Sequence, residues 1–96
     1  MLADSATEIE AARWLTYYTA WLIDQGDMAL KEISMAKLYA SEMCDRVANR
    51  ILQVHGGMGY MKELPVERIY RIARLLRIGG GTSEIQRHLV AKCLGL

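Results

Sequence analysis

Apolar residues recur along most of this chain at steps of three and four, the spacing that gathers side chains on one face of an α-helix. The clearest run is Ile33, Ala36, Ala40, Met43, Val47, Ile51 and Val54, with Glu32, Lys37, Glu42, Asp45 and Arg50 between them. A helix from Asp27 to His55 would be roughly 40 Å long, an element of a bundle. A first helix is predicted from Ala3 to Gln25, with Gly26 as its stop and Asp27 as a cap for the second, giving an antiparallel hairpin. After the glycines at 56, 57 and 59 end the second helix, Pro65 suits the first turn of a third, running to about Arg77 with Glu67 near its positive end. Gly79, Gly80 and Gly81 break the pattern, and a fourth helix is predicted from Thr82 or Ser83, with Ser83 and Gln86 as a capping box. No stretch shows strand alternation. The predicted fold is all-α, an antiparallel four-helix bundle forming one domain over residues 1–96.

The first helix departs from the amphipathic pattern. Between Ala11 and Ile23 only Arg13 is charged, and Trp14, Leu15, Tyr17, Tyr18, Trp21 and Leu22 point in every direction. A helix apolar all round needs partners all round, so a surface for another helix, domain or subunit is expected.

Composition narrows the function classes. At 52% apolar residues and with one proline, the chain has the makeup of a folded domain. A net charge of +1 gives no electrostatic pull toward nucleic acid or anionic membrane. Trp14 to Ile23 is too short to span a bilayer, and an acidic N-terminus does not resemble a signal peptide. Cys44 and Cys93 lie far apart with no metal-ligand spacing, as do His55 and His88, so no metal site is expected. Arg68, Arg71, Arg74 and Arg77 recur every third residue and drift around the helix, which reads as a salt-bridging face rather than a phosphate stripe.

Two segments hold candidate chemistry. In Gln53-Val54-His55-Gly56-Gly57-Met58-Gly59-Tyr60 the glycines permit close backbone approach to a ligand. Neither GxGxxG nor a P-loop ending is present. The second is Gly79-Gly80-Gly81-Thr82-Ser83-Glu84-Ile85-Gln86, a glycine loop opening a helix N-terminus. Together with Glu63, Pro65-Val66-Glu67-Arg68 and Tyr70-Arg71, these segments resemble the acyl-CoA dehydrogenase family in its C-terminal helical domain. Ile72 departs from it, standing where the family has an acidic residue.

The resemblance implies a flavoprotein that oxidises an acyl-CoA thioester to the 2,3-enoyl-CoA, and it assigns roles by position. Gln53, Val54, His55, Gly56 and Gly57 would contact the ADP half of an FAD held mainly by a neighbouring subunit. Thr82, Ser83 and Glu84 would form a second FAD-contacting triplet, and Gly80 and Gly81 would border the acyl pocket. No catalytic residue is assigned, because Gly80 occupies the position of the family's usual glutamate. That places the chain with the long-chain and isovaleryl-like branch, whose base comes from an earlier helix. Also implied are a homo-oligomer (dimer or tetramer), an electron-transfer partner, a cytoplasmic or mitochondrial-matrix location, and a missing first helix and upstream domains. The alternative is a free-standing, non-catalytic helical interaction module of the same fold.

Overall fold

The computed structural model describes every residue from Met1 to Leu96 and contains helices only: α1 (Leu2–Asp24), α2 (Leu30–His55), α3 (Gly57–Tyr60), α4 (Val66–Leu76) and α5 (Ser83–Cys93). The four predicted helices are present. The extra element is α3, a single turn wound from the glycine segment that was expected only to end the second helix. At the hairpin, Gly26 makes the turn at φ 90°. The carboxylate of Asp27 accepts the Ala29 N–H at 2.7 Å, and Ala29 lies at φ 53°. That left-handed residue cannot continue a right-handed helix, so α2 starts at Leu30 rather than Asp27. Pro65 stands just ahead of α4 as its N-cap.

The α1–α2 contact is built from small residues. Ser5, Ala12 and Thr19 are buried on α1, and Ser34, Ser41 and Ala48 on α2. Both sets step by seven, which keeps each on one side of its helix with only about 20° of drift per step. In an antiparallel pair, Thr19 meets the level of Ser34, Ala12 that of Ser41 and Ser5 that of Ala48, where short side chains let the backbones approach. The register is pinned at both ends. Thr19 Oγ1 reaches the Glu32 carbonyl at 3.4 Å, while Glu8 accepts from Arg46 Nε at 2.9 Å and from Arg50.

The face predicted to be the core of α2 is therefore only partly covered. Ile33 and Val54 are about half exposed, and Met43, Val47 and Ile51 line an open groove of about 250 Å³ with Ile9, Val66 and Ile69.

The Glu8 cluster predicts an acid limb of stability. The hydrogen bond from Arg50 holds the Glu8 carboxyl below its ordinary 4.5; desolvation opposes this, and the hydrogen bond and charge of Arg46 reinforce it. A carboxyl depressed in the folded state stabilises the fold in full above its unfolded pKa, and that contribution is lost as pH falls through the folded value. Glu8→Gln is expected to melt lower than the parent near neutral pH, with the difference closing as pH falls through the lowered Glu8 value. A difference that persists unchanged in acid would show that the cluster contributes through packing alone.

Also packed along α2, α4 runs antiparallel to it and α5 parallel. Arg77 binds Asp45 at 2.9 Å and reaches Glu42 at 3.7 Å; Arg74 lies 3.5 Å from Asp45, and Arg87 binds Glu42 at 2.6 Å. The arginine stripe thus serves as a salt-bridging face at Arg74 and Arg77, while Arg68 and Arg71 pair with no carboxylate. The helices α1, α4 and α5 all pack on α2 and not on one another. The resulting bundle is open, with a radius of gyration of 15.4 Å against roughly 12–13 Å for a closed domain of this length. Trp14 and Trp21 remain 66% and 55% exposed, so the aromatic surface of α1 is left uncovered as its sequence suggests.

Candidate functional site

The three glycines that end α2 have three different reasons to be glycine. Gly56 sits at φ 62°, ψ −141°, where a side chain is strained. Gly59 is buried, and a Cβ there would lie 2.6 Å from the Leu52 carbonyl oxygen. Gly57 meets neither condition: its φ is not positive, and a Cβ would meet nothing within 4 Å. Gln53 through Gly57 are all exposed at this end of the molecule. His55 turns back along the helix, with Nδ1 2.8 Å from the Ile51 carbonyl. Beside α3 lies a cleft of about 430 Å³ of mixed lining, whose wall includes Asn49, Leu52, Tyr60, Lys62, Tyr70 and Arg71.

In the second segment the chain leaves α4 through a glycine loop, with Gly80 at φ 68° and Gly81 at φ 99°. The Gln86 side chain packs where a Gly81 Cβ would stand, 2.6 Å away. The cap of α5 is Thr82, whose Oγ1 accepts the Ile85 N–H at 3.2 Å. The predicted Ser83–Gln86 box is corrected by one residue: Ser83 already lies inside the helix, is buried, and its Oγ has no partner. Thr82, Ser83 and Glu84 border a small cleft of about 80 Å³ with Arg74 and Arg77. A helix N-terminus next to two guanidinium groups favours polar or anionic ligand atoms.

The two segments are not brought into one cavity. Lys37 Nζ donates to the Gly81 carbonyl at 3.0 Å, which sets the glycine loop at the level of Lys37 on α2. His55 is 18 residues further along the same helix (55 − 37), about 27 Å at 1.5 Å per residue. No group of His, Cys, Asp or Glu can hold a metal ion, and no helix is long and apolar enough to cross a membrane. Cys44 and Cys93 are free, and burial pushes the Cys44 thiol up. Glu42 and Asp45, the carboxylates tied by Arg74, Arg77 and Arg87, are committed to ion pairs, while Glu84 is exposed. Lys37 was not singled out in the sequence, since one lysine on a charged helix face carries no distinguishing pattern.

Known proteins share this arrangement. The model of the acyl-CoA dehydrogenase C-terminal domain matches residues 1–95. The mitochondrial short-chain specific acyl-CoA dehydrogenase of Bos taurus is 51% identical over 90 residues, 94% of this chain and 22% of its own length. The CarC subunit of the caffeyl-CoA reductase–Etf complex of Acetobacterium woodii is 48% identical over 94 residues, 98% of this chain and 25% of its own length. The structure of butyryl-CoA dehydrogenase from Megasphaera elsdenii superposes with a TM-score of 0.95 at 37% identity, over 99% of this chain and 25% of that one. The chain spans about a quarter of the length of the curated relatives it matches.

Proposed function

We propose, on the premise that this chain belongs to the acyl-CoA dehydrogenase family and corresponds to its C-terminal helical domain, that it is the FAD-contacting and oligomerising part of a flavoenzyme oxidising acyl-CoA thioesters to 2,3-enoyl-CoAs. Gln53 to Gly57 would hold the ADP half of an FAD bound mainly by a neighbouring subunit. Gln53 offers a side-chain amide for directional hydrogen bonds, and bare backbone at Gly57 can approach a pyrophosphate that a Cβ would meet. Thr82, Ser83 and Glu84 form the second contact. The first turn of α5 begins with N–H groups lacking intrahelical acceptors, and the unpartnered Ser83 Oγ adds a buried polar atom there, which fits a polar cofactor edge.

The separation of the two segments along α2 supports contacts to two FAD molecules related by the oligomer. The uncovered aromatic surface of α1 supports the assembly itself. FAD, when bound, supplies the acceptor for the hydride leaving the acyl β-carbon. The chain's own share is to bind and orient. Gly80 stands where the family's usual glutamate lies, so the base that takes the α-proton comes from outside these residues, as in the long-chain and isovaleryl-like branch. Gly80 and Gly81 leave room for a long or branched acyl chain. Electrons would pass on to an electron-transfer partner, a reading supported by the Etf complex of the Acetobacterium woodii relative.

The observation that carries this reading is Gly57, whose missing side chain nothing inside the chain explains. Gly57→Ala is expected to leave the denaturant midpoint almost unchanged, within about 0.5 kcal/mol. In an FAD titration followed by amide chemical shifts, the parent should respond at Gln53–Gly57 and at Thr82–Glu84. The variant should lose the first set and keep the second. An alanine variant that titrates like the parent would remove the support for a cofactor contact at Gly57.

A further inference from the structure

We propose that Lys37 is a positioning residue, holding the Gly79–Thr82 loop at a fixed height on α2; its functional meaning rests on reading that loop as the border of the acyl and cofactor sites. The glycines cannot tie themselves to α2. Three consecutive glycines supply no side chains, and two of them adopt positive φ, so the free backbone has many alternatives of similar energy. Lys37 Nζ donates to the Leu76 carbonyl at 2.6 Å and to the Gly81 carbonyl at 3.0 Å. These acceptors lie on either side of the glycines. Leu76 is the last residue of α4, where carbonyls lack intrahelical partners and the helix dipole favours a cation.

Two further facts single the lysine out. No other side chain from another element hydrogen-bonds the backbone between Leu76 and Thr82, and Lys37 pairs with no carboxylate, so its charge is committed to these carbonyls. Nor do α4 and α5 pack on each other. The connection is held to α2 at its start by Arg77, which binds Asp45 at 2.9 Å, and across the glycines by this one ammonium, which together with the Ser83 N–H bond to the Arg77 carbonyl sets the direction in which Thr82, Ser83 and Glu84 face.

The test is amide hydrogen exchange on the 96-residue chain with Lys37→Met and Lys37→Arg. The amides to follow are those of Gly79, Ser83 and Ile85, bonded to the Leu75 carbonyl, the Arg77 carbonyl and Thr82 Oγ1. Lys37→Met should exchange roughly tenfold faster at these three positions, the low end for losing charge-assisted hydrogen bonds at a half-exposed site. The α1 amides should be unchanged. Lys37→Arg, which keeps donors and charge, should restore most of the protection. Unchanged loop exchange in Lys37→Met would overturn the proposal, and so would acceleration spread equally over α1 and α2, which marks a general structural role. None of these readouts involves FAD. A second arm repeats the FAD titration on Lys37→Met, which should weaken the Thr82–Glu84 response and spare that of Gln53–Gly57. If the parent itself shows no FAD response, the flavin reading fails while the exchange result still decides the role of Lys37.

Discussion

Gly59→Ala is expected to destabilise the chain by about 2–3 kcal/mol, the upper range for forcing an extra carbon into a packed site. The added Cβ would stand 2.6 Å from the Leu52 carbonyl oxygen and 3.1 Å from the His55 Cβ. The oxygen belongs to the backbone of α2 and cannot swing aside like the end of a side chain. Relief requires α3 to lift off α2, which also moves Gly56 and Gly57. For a domain of this size the loss is a large part of the whole, since total stability is only about 5–15 kcal/mol and an open bundle belongs near the lower figure. Urea unfolding of Gly59→Ala beside Gly57→Ala checks this directly. Two alanines two residues apart should differ by most of that amount, and a Gly59 variant within about 0.5 kcal/mol of the parent would contradict the packing described.

This contrast shows which parts of the molecule were legible in the sequence. Helices α1, α4 and α5 were readable to within a residue or two because glycine and proline punctuate the apolar periodicity around them. The glycine cluster was recognisable as a whole, yet the separate reasons for Gly56, Gly57 and Gly59 were not, since dihedral angle and clearance belong to the fold. The α1–α2 seam went unread for a different reason. Hydrophobic periodicity pointed to Ile33, Met43 and Val54, whereas the contact is made by Ser5, Ala12 and Thr19 against Ser34, Ser41 and Ala48. Small residues seven apart were visible, but serine and threonine do not register as core in an apolar count. The start of α2 was misplaced because Asp27 spends its carboxylate on the Ala29 N–H in a tight turn. The cap of α5 was shifted because Thr82 and Ser83 have equal claims in sequence, and only the backbone shows which is outside the helix.

The candidate site was legible as two motifs. Their separation along α2 was not, because it depends on where the glycine loop meets that helix. Lys37 sets that level, and no local pattern distinguishes it from the other charged residues on α2.

The second large effect concerns chemistry. This chain alone should show no acyl-CoA dehydrogenase turnover even with FAD supplied, a loss of the whole enzymatic acceleration, typically about a millionfold or more. A base must be in place to take the α-proton, and Gly80 offers none. Weak FAD contacts that shift amides at high cofactor concentration are also too few to hold flavin and thioester together in one reacting geometry. Gly80→Glu should not rescue the reaction. A Cβ there meets nothing within 4 Å, but Gly80 lies at φ 68°, where a residue with a Cβ is strained by about 1–2 kcal/mol. Without walls to align acyl chain and flavin, a carboxylate at residue 80 still lacks a substrate held at reacting distance.

The most direct test is an electron-acceptor assay of the 96-residue chain and its Gly80→Glu variant with FAD and short, branched and long acyl-CoAs. The predicted result is a rate equal to the protein-free blank for both proteins with every substrate. Turnover by the unmodified chain that rises in proportion to its concentration would contradict the claim that these residues bind and assemble while the catalytic base lies elsewhere.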